Sequence, residues 1–238
     1  MEGIRAVTDI GKKDFLRSIL IRESKRSELE PLVQKGFTVS SVYVVQDPIF
    51  DKIEHSVNGQ GILGIAKKCV NDLHSLIVED GLYVALDGVQ DPGNLGTIIR
   101  TAVAAGAKGI FLLKGTVDPY NEKCVRSTMS ALCNIPIFED VTLSEFYDFI
   151  KDNTIKTYVT SLENAKPYHT ISYPKRTMII LGNEGNGVSR EIIEMCDQAI
   201  TIPMYGDIES LNVSIAAALC MYKVREPVSY THLRAHET

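Results

Sequence analysis

An apolar run that empties directly into a glycine-rich loop leaves a chain few folding options. Here that run is Met178-Ile179-Ile180-Leu181. Four apolar residues without alternation read as a strand buried on both faces. They lead into Gly182-Asn183-Glu184-Gly185-Asn186-Gly187, where three glycines in six residues let the backbone take positive φ and a ligand come close. A second short strand, Ala199-Ile200-Thr201-Ile202, stops at Pro203. Glu209-Ser210-Leu211-Asn212 then opens an apolar helix, Val213 to Val224. Two loops leaving strand ends, with a helix start beside them, make a small-molecule pocket at the carboxyl ends of parallel strands.

The rest of the chain supplies the sheet around that stretch. From Leu82 a strand–helix rhythm sets in: strand Leu82–Leu86, a turn from Asp87-Gly88 to Gly93, then helix Asn94–Ala105 with Gly106 as its stop. Strand Gly109–Leu113 and helix Asn121–Ala131 follow, then an edge strand Ile135–Phe138, helix Leu143–Lys151 and strand Thr157–Thr160. Alternation of this length predicts an α/β domain with a mostly parallel sheet. Ahead of it, Gly11–Gly36 is charged and helical in tendency, while Thr38–Gln46 and Gly59–Ala66 read as strands, so residues 1–70 form a small α/β unit. Residues 71–226 are the main domain. Residues 227–238 break the pattern after Pro227 and are expected to be a disordered or non-native tail.

Composition narrows the function. With 238 residues and 45% apolar content the chain can bury a real core, and no apolar run is long enough to span a membrane. The five cysteines are scattered and contain no C-x-x-C pair, which favours reduced, buried thiols in a cytoplasmic protein without a metal site. Residues 1–70 carry 11 Lys+Arg against 9 Asp+Glu, and residues 71–238 carry 14 against 21. A net charge of −5 argues against a generic polyanion binder, and only the front of the chain leans the way nucleic acid requires.

Three motifs could carry chemistry, and each has an ordinary structural reading. Asp91 or Asn94 can simply cap the helix that follows. Gly96 resists that reading, because a glycine inside a helix costs about 1 kcal/mol relative to alanine. Arg100 lies over the turn holding Gly96, so the missing side chain would clear room for its guanidinium or for a ligand. The Gly182–Gly187 loop is neither a dinucleotide fingerprint nor a P-loop, and Glu184 within it would repel phosphate but could orient an arginine or backbone amides. Ser210 can be an N-cap with Asn212 in the first turn, although Asn212 can also both donate to and accept from a neighbour.

In this order, N-x-G-x-x-x-R on a strand–helix turn, L-G-N-E-G-x-G, and I-x-I-P-M with S-L-N-V-S-x-A are similar to the SpoU/TrmH branch of the SPOUT RNA methyltransferases. The resemblance covers Leu82 to Val224. The front, Glu2–Val7 and Gln60–Leu63, resembles part of the ribosomal-protein-like substrate-binding domain often fused to it, with that domain's first helix and strand expected to be missing. The resemblance implies a C-terminal trefoil knot, a homodimer, and methyl transfer from S-adenosylmethionine to a ribose 2′-hydroxyl of structured RNA. The favoured RNA is 23S ribosomal RNA, ahead of transfer RNA. It assigns Leu181, Gly182, Asn183, Gly187, Ile202, Met204 and Leu211 to the cofactor. It assigns Arg100 to the chemistry, with Asn94, Glu184, Ser210 and Asn212 positioning it. No metal is needed, because the sulfonium is already activated. A guanidinium is too weak a base to take the 2′-hydroxyl proton, so Arg100 is expected to clamp phosphate and stabilise the developing alkoxide. The rival readings are a non-catalytic RNA-binding relative, which intact Asn94, Arg100, Glu184 and Asn212 disfavour, and a nicotinamide enzyme, which lacks the early glycine fingerprint.

Overall fold

The computed structural model describes residues 1–34, 39–56 and 59–226. The tail from Pro227, and the expected strand start at Thr38, lie outside the described residues.

Seven parallel strands form the main sheet, in the order β6-β5-β4-β9-β7-β10-β8. They are β4 (Gly81–Asp87), β5 (Gly109–Leu113), β6 (Ile137–Val141), β7 (Lys156–Thr160), β8 (Lys166–Pro167), β9 (Arg176–Gly182) and β10 (Gln198–Thr201). Burial on both faces explains the unbroken apolar runs. On β4, Leu82, Val84 and Leu86 face one core, and Tyr83 and Ala85 face the other. The first core is closed by α4 (Pro92–Ala104), α5 (Glu122–Ser127) and α8 (Val213–Arg225), and the second by α6 (Leu143–Asp152) and α7 (Arg190–Met195). In the second, Phe111 packs against Phe138, Phe146 and Phe149. The sheet thus sits between two helical layers.

Ahead of this sheet lie α1 (Ile4–Gly11), β1 (Leu16–Arg22), α2 (Arg26–Gln34), β2 (Ser41–Val45), α3 (Asp47–Phe50) and β3 (Ile62–Ala66). Their three strands pair as β2-β1-β3, parallel on one side of β1 and antiparallel on the other. The expected helical tendency from Gly11 to Gly36 is therefore corrected. Its first half holds the central strand β1, because alternate Ile19 and Ile21 are buried while Arg17 points to solvent. Pairing on both sides overrides the local charge pattern.

The expected helix over Asn121–Ala131 is also shorter. It ends at Ser127, because Met129 and Ser130 take left-handed φ of 49° and 69°, which no α-helix continues. The reduced-thiol expectation fails for one pair: Cys69 and Cys133, 64 residues apart in sequence, are joined as a disulfide with Cα atoms 6.2 Å apart. The other three remain free, and burial pushes the thiols of Cys124, Cys196 and Cys220 up to about 12.

Candidate active site

The register of the two central strands sets the site's geometry. Asp87, at the end of β4, pairs with Gly182 at the end of β9, so the 88–91 turn and the 183–189 loop leave the sheet side by side. The turn begins at Gly88, which has φ 69°, and Asp91 caps α4 by accepting from the Asn94 amide at 2.8 Å. Asp87 in turn accepts from the Ser189 amide at 2.7 Å, tying the far end of the loop back to β4.

Asn183 and Gly187 close the loop on itself, exchanging two backbone hydrogen bonds of 2.9 and 3.0 Å. The Asn183 side chain accepts from the amides of Gly185 and Asn186 and donates to the Gly88 carbonyl at 2.8 Å. Gly182 cannot be anything larger. A Cβ there would overlap the carbonyl group of Gly187 and the nitrogen of Val188.

Glu184 reaches out of the loop to the α4 turn. Its carboxylate accepts from the Gln90 and Asp91 amides, both at 3.2 Å, and from the Asn94 side chain at 3.0 Å. Burial pushes this carboxyl up, but the donors outweigh it and hold it below the usual carboxylate range. On its other side Asn94 accepts from the Asn212 side chain at 3.0 Å. Asn212, and not Ser210, is the N-cap of α8, accepting from the Ser214 amide at 2.9 Å. One chain of hydrogen bonds therefore links the starts of α4 and α8 to the β9 loop.

The structure brings Asn94, Glu184 and Asn212 together and leaves two expected partners outside. Ser210 is exposed in the loop before α8. Arg100 is exposed on α4 and hydrogen-bonds to none of these three. The space at Gly96 is not left for Arg100 or a ligand, as the sequence reading had it. A Cβ on Gly96 would lie 2.5 Å from Ser127 Cβ and 2.7 Å from the Cys124 carbonyl, so the glycine lets α5 close on α4.

A cavity of about 480 Å³ opens where β10 ends. Ile202, Pro203, Met204 and Leu211 line it, together with Leu219 of α8. Of the residues expected at a cofactor, Ile202, Met204 and Leu211 line this cavity. Leu181 is buried in the core, and Gly182, Asn183 and Gly187 build the adjacent loop. Tyr168 and His169 also line the cavity, and local sequence gave no signal for them. They arrive through sheet order: β8 pairs with β10 at Ile200–Lys166 and Thr201–Pro167, so the next residues of each segment meet.

This layout of strand ends, loops and helix starts has counterparts among known proteins. Residues 81–222 match the SpoU rRNA Methylase family. The chain belongs to that family. Its members are S-adenosylmethionine-dependent RNA methyltransferases, and the chain is such an enzyme. It is 34% identical over 228 residues to the 23S rRNA (guanosine(2553)-2′-O)-methyltransferase RlmP of Bacillus subtilis, a match covering 94% of this chain and 87% of that one. The AdoMet-bound rRNA methyltransferase from Sinorhizobium meliloti superposes with a TM-score of 0.83 at 30% identity, over 94% of this chain and 85% of that one. The SpoU methyltransferase AviRb from Streptomyces viridochromogenes, at 23% identity, shares the fold with a TM-score of 0.84 over 94% of this chain and 87% of its own. The cavity suits the cofactor in size and chemistry, because pockets for ligands of that size are mostly apolar and run from about 300 to 1,000 Å³.

Proposed function

We propose that this SpoU-family enzyme methylates a ribose 2′-hydroxyl of 23S ribosomal RNA, with the cofactor in the cavity at the end of β10. The observation that carries the reading is the Asn212–Asn94–Glu184 chain, which fixes the three motif segments against one another beside that cavity. Ile202, Met204 and Leu211 hold the cofactor, with Leu181, Gly182, Asn183 and Gly187 supporting the loop beside it. S-adenosylmethionine supplies an electrophilic methyl group when bound. The chain's own residues align the RNA with it and stabilise charge as the 2′-oxygen becomes an alkoxide. Arg100 does this by gripping the adjacent phosphate, and its exposure on α4 leaves its five donors available to RNA. Asn94, Glu184, Ser210 and Asn212 position the turn and loops.

Three further points belong to the same reading. α8 returns to pack on α4, and we take the 182–189 and 202–212 segments ahead of it to form a trefoil knot. The exposed α8 residues Ile215, Leu219 and Tyr222 form a homodimer face. The reading also takes the enzyme to work in the cytoplasm and without a metal; no described helix is long and apolar enough to cross a membrane.

Purified protein incubated with radiolabelled S-adenosylmethionine and either 23S ribosomal RNA or transfer RNA tests this reading. Label should enter a 2′-O-methyl group at one site of the ribosomal RNA. Label confined to transfer RNA would move the substrate, and none in either would remove the assignment.

A further inference from the structure

The turn that leads into Asn94 leaves the middle of three adjacent strands, since the sheet order there is β5-β4-β9. The loop after β9 holds that turn on one side, where Asn183 donates to the Gly88 carbonyl and Glu184 accepts from the Gln90 and Asp91 amides. The loop after β5 holds it on the other. There Leu113-Lys114-Gly115-Thr116 form a turn, closed by the Thr116 amide donating to the Leu113 carbonyl at 3.1 Å, with Gly115 at φ 95°. A left-handed third residue is the glycine position of a type II turn. It brings the chain close to the α4 turn: a Cβ on Gly115 would lie 4.0 Å from the Gly88 Cα. The Thr116 hydroxyl makes the link. It accepts from the Gly88 amide at 3.1 Å and donates to the Leu86 carbonyl at 3.0 Å. Beside it the Val117 amide donates to the Val89 carbonyl at 2.9 Å. Gly88, with φ 69° and no side chain to restrict it, is the natural hinge of the turn. Thr116 and Asn183 hold the two polar backbone groups of that hinge from opposite sides.

We propose that Thr116 is a positioning residue for methyl transfer, acting through Gly88 on the placement of Asn94 and the start of α4. The proposal rests on reading that turn as the element that aligns RNA with the methyl group. A hydroxyl suits the place, because the two groups it serves are one donor and one acceptor. Without it the Gly88 amide loses its partner, and the turn is free to swing at its hinge. Misplacement by about 1 Å at such a site can cost about 100-fold in rate. The cofactor stands apart from this brace. Among the described residues, none that lines the cavity at the end of β10 hydrogen-bonds to residues 114–117. Loss of the hydroxyl therefore lowers the rate of the transfer step and spares cofactor affinity.

Full-length Thr116→Ala, Thr116→Ser and Arg100→Ala test this beside the unaltered chain. Each is assayed by single-turnover methylation of 23S ribosomal RNA at saturating RNA and by calorimetric titration with S-adenosylmethionine. Alanine and serine both lack the threonine methyl group and differ from one another by the hydroxyl oxygen alone. Thr116→Ala should cut the rate by about 10-fold or more and leave cofactor affinity within about two-fold, while Thr116→Ser should keep both within about two-fold. Thr116 is half-buried, so water can serve the two backbone groups and the alanine variant should fold, which matched melting curves would verify. An unchanged rate in Thr116→Ala, or an equal loss in Thr116→Ser, would overturn the proposal. So would cofactor affinity falling in step with rate, or an alanine variant that does not fold, since either makes Thr116 a brace of the fold alone. Full turnover in Arg100→Ala, or no methylation by the unaltered chain, would remove the reading of α4 on which the proposal rests. Loss of turnover in Arg100→Ala with none in Thr116→Ala would remove this proposal alone.

Discussion

Glu184 is the residue on which the site's acid stability turns. Its folded carboxyl lies below the usual range, because donors from Asn94, Gln90 and Asp91 outweigh the cost of burial. The unfolded chain therefore binds the proton first as pH falls. Glu184 contributes stability that is fully present above its ordinary carboxylate pKa and is lost as pH drops through the lower folded one. Protection of the Gln90 and Asp91 amides against hydrogen exchange, taken relative to the intrinsic rate at each pH, should fall over that acid window, and Glu184→Gln should remove this pH dependence. Arg100, by contrast, is exposed on α4 and joined to none of Asn94, Glu184 or Asn212. Arg100→Ala should leave cofactor affinity within a few-fold, measured by calorimetry, while cutting single-turnover methylation by about 100-fold or more. Arg100→Lys should rescue little, since an ammonium cannot span phosphate and alkoxide as a planar fork does. Parallel collapse of affinity and activity in Arg100→Ala would make it a brace for the loops instead.

Two effects of opposite sign meet at Gly96, where α4 packs on α5. In an isolated helix, Gly96→Ala would stabilise by about 1 kcal/mol. Here the new methyl group would sit 2.5 Å from Ser127 Cβ and 2.7 Å from the Cys124 carbonyl, a backbone atom that cannot rotate away. Overpacking of this kind costs about 1–3 kcal/mol and should win. Chemical denaturation should therefore find Gly96→Ala less stable than the unaltered chain. A stabilised variant would mean that α5 can lift off α4 at little cost. The same short helix shows how elements end. Left-handed backbone at Met129 and Ser130 stops α5 after six residues, and the chain reaches Cys133 and edge strand β6.

At the level of the whole molecule, the Cys69–Cys133 bond ties the segment following β3 to the segment preceding β6. Closing a loop of 64 residues stabilises by up to about 4 kcal/mol in the chain-entropy view. Cys133→Ser should lower unfolding free energy by up to that amount in oxidising buffer and by almost nothing in a reducing one. The outer face of α8 raises a separate question. Ile215, Leu219 and Tyr222 recur at helical spacing and are 51%, 38% and 53% exposed. Ala217, by contrast, is wholly buried against the chain's own core. A face this apolar calls for a partner, and a second copy is the simplest one. Light scattering should give a dimer at micromolar concentration, and Ile215→Asp should give a monomer. A monomeric unaltered protein would refute the dimer.

Six of the main sheet's seven strands, all but β8, and its long helices were legible because each has its own local pattern: β4 and β9 as unbroken apolar runs, α4 and α8 as apolar helices. The three motif segments were legible too, since glycine, proline and capping residues act on their immediate neighbours. Strand β1 was not legible, because its pairing partners lie about 20 and 45 residues away and local charge favoured a helix. Sequence offered Gly96 as room for Arg100, and only packing showed that α5 fills it. Likewise nothing near Tyr168 and His169 marks them as cavity residues. They line it because β8 adds to the sheet beside β10. The local code wrote the elements and their caps, and tertiary structure decided which distant residues share a wall, because strand order depends on contacts far apart along the chain.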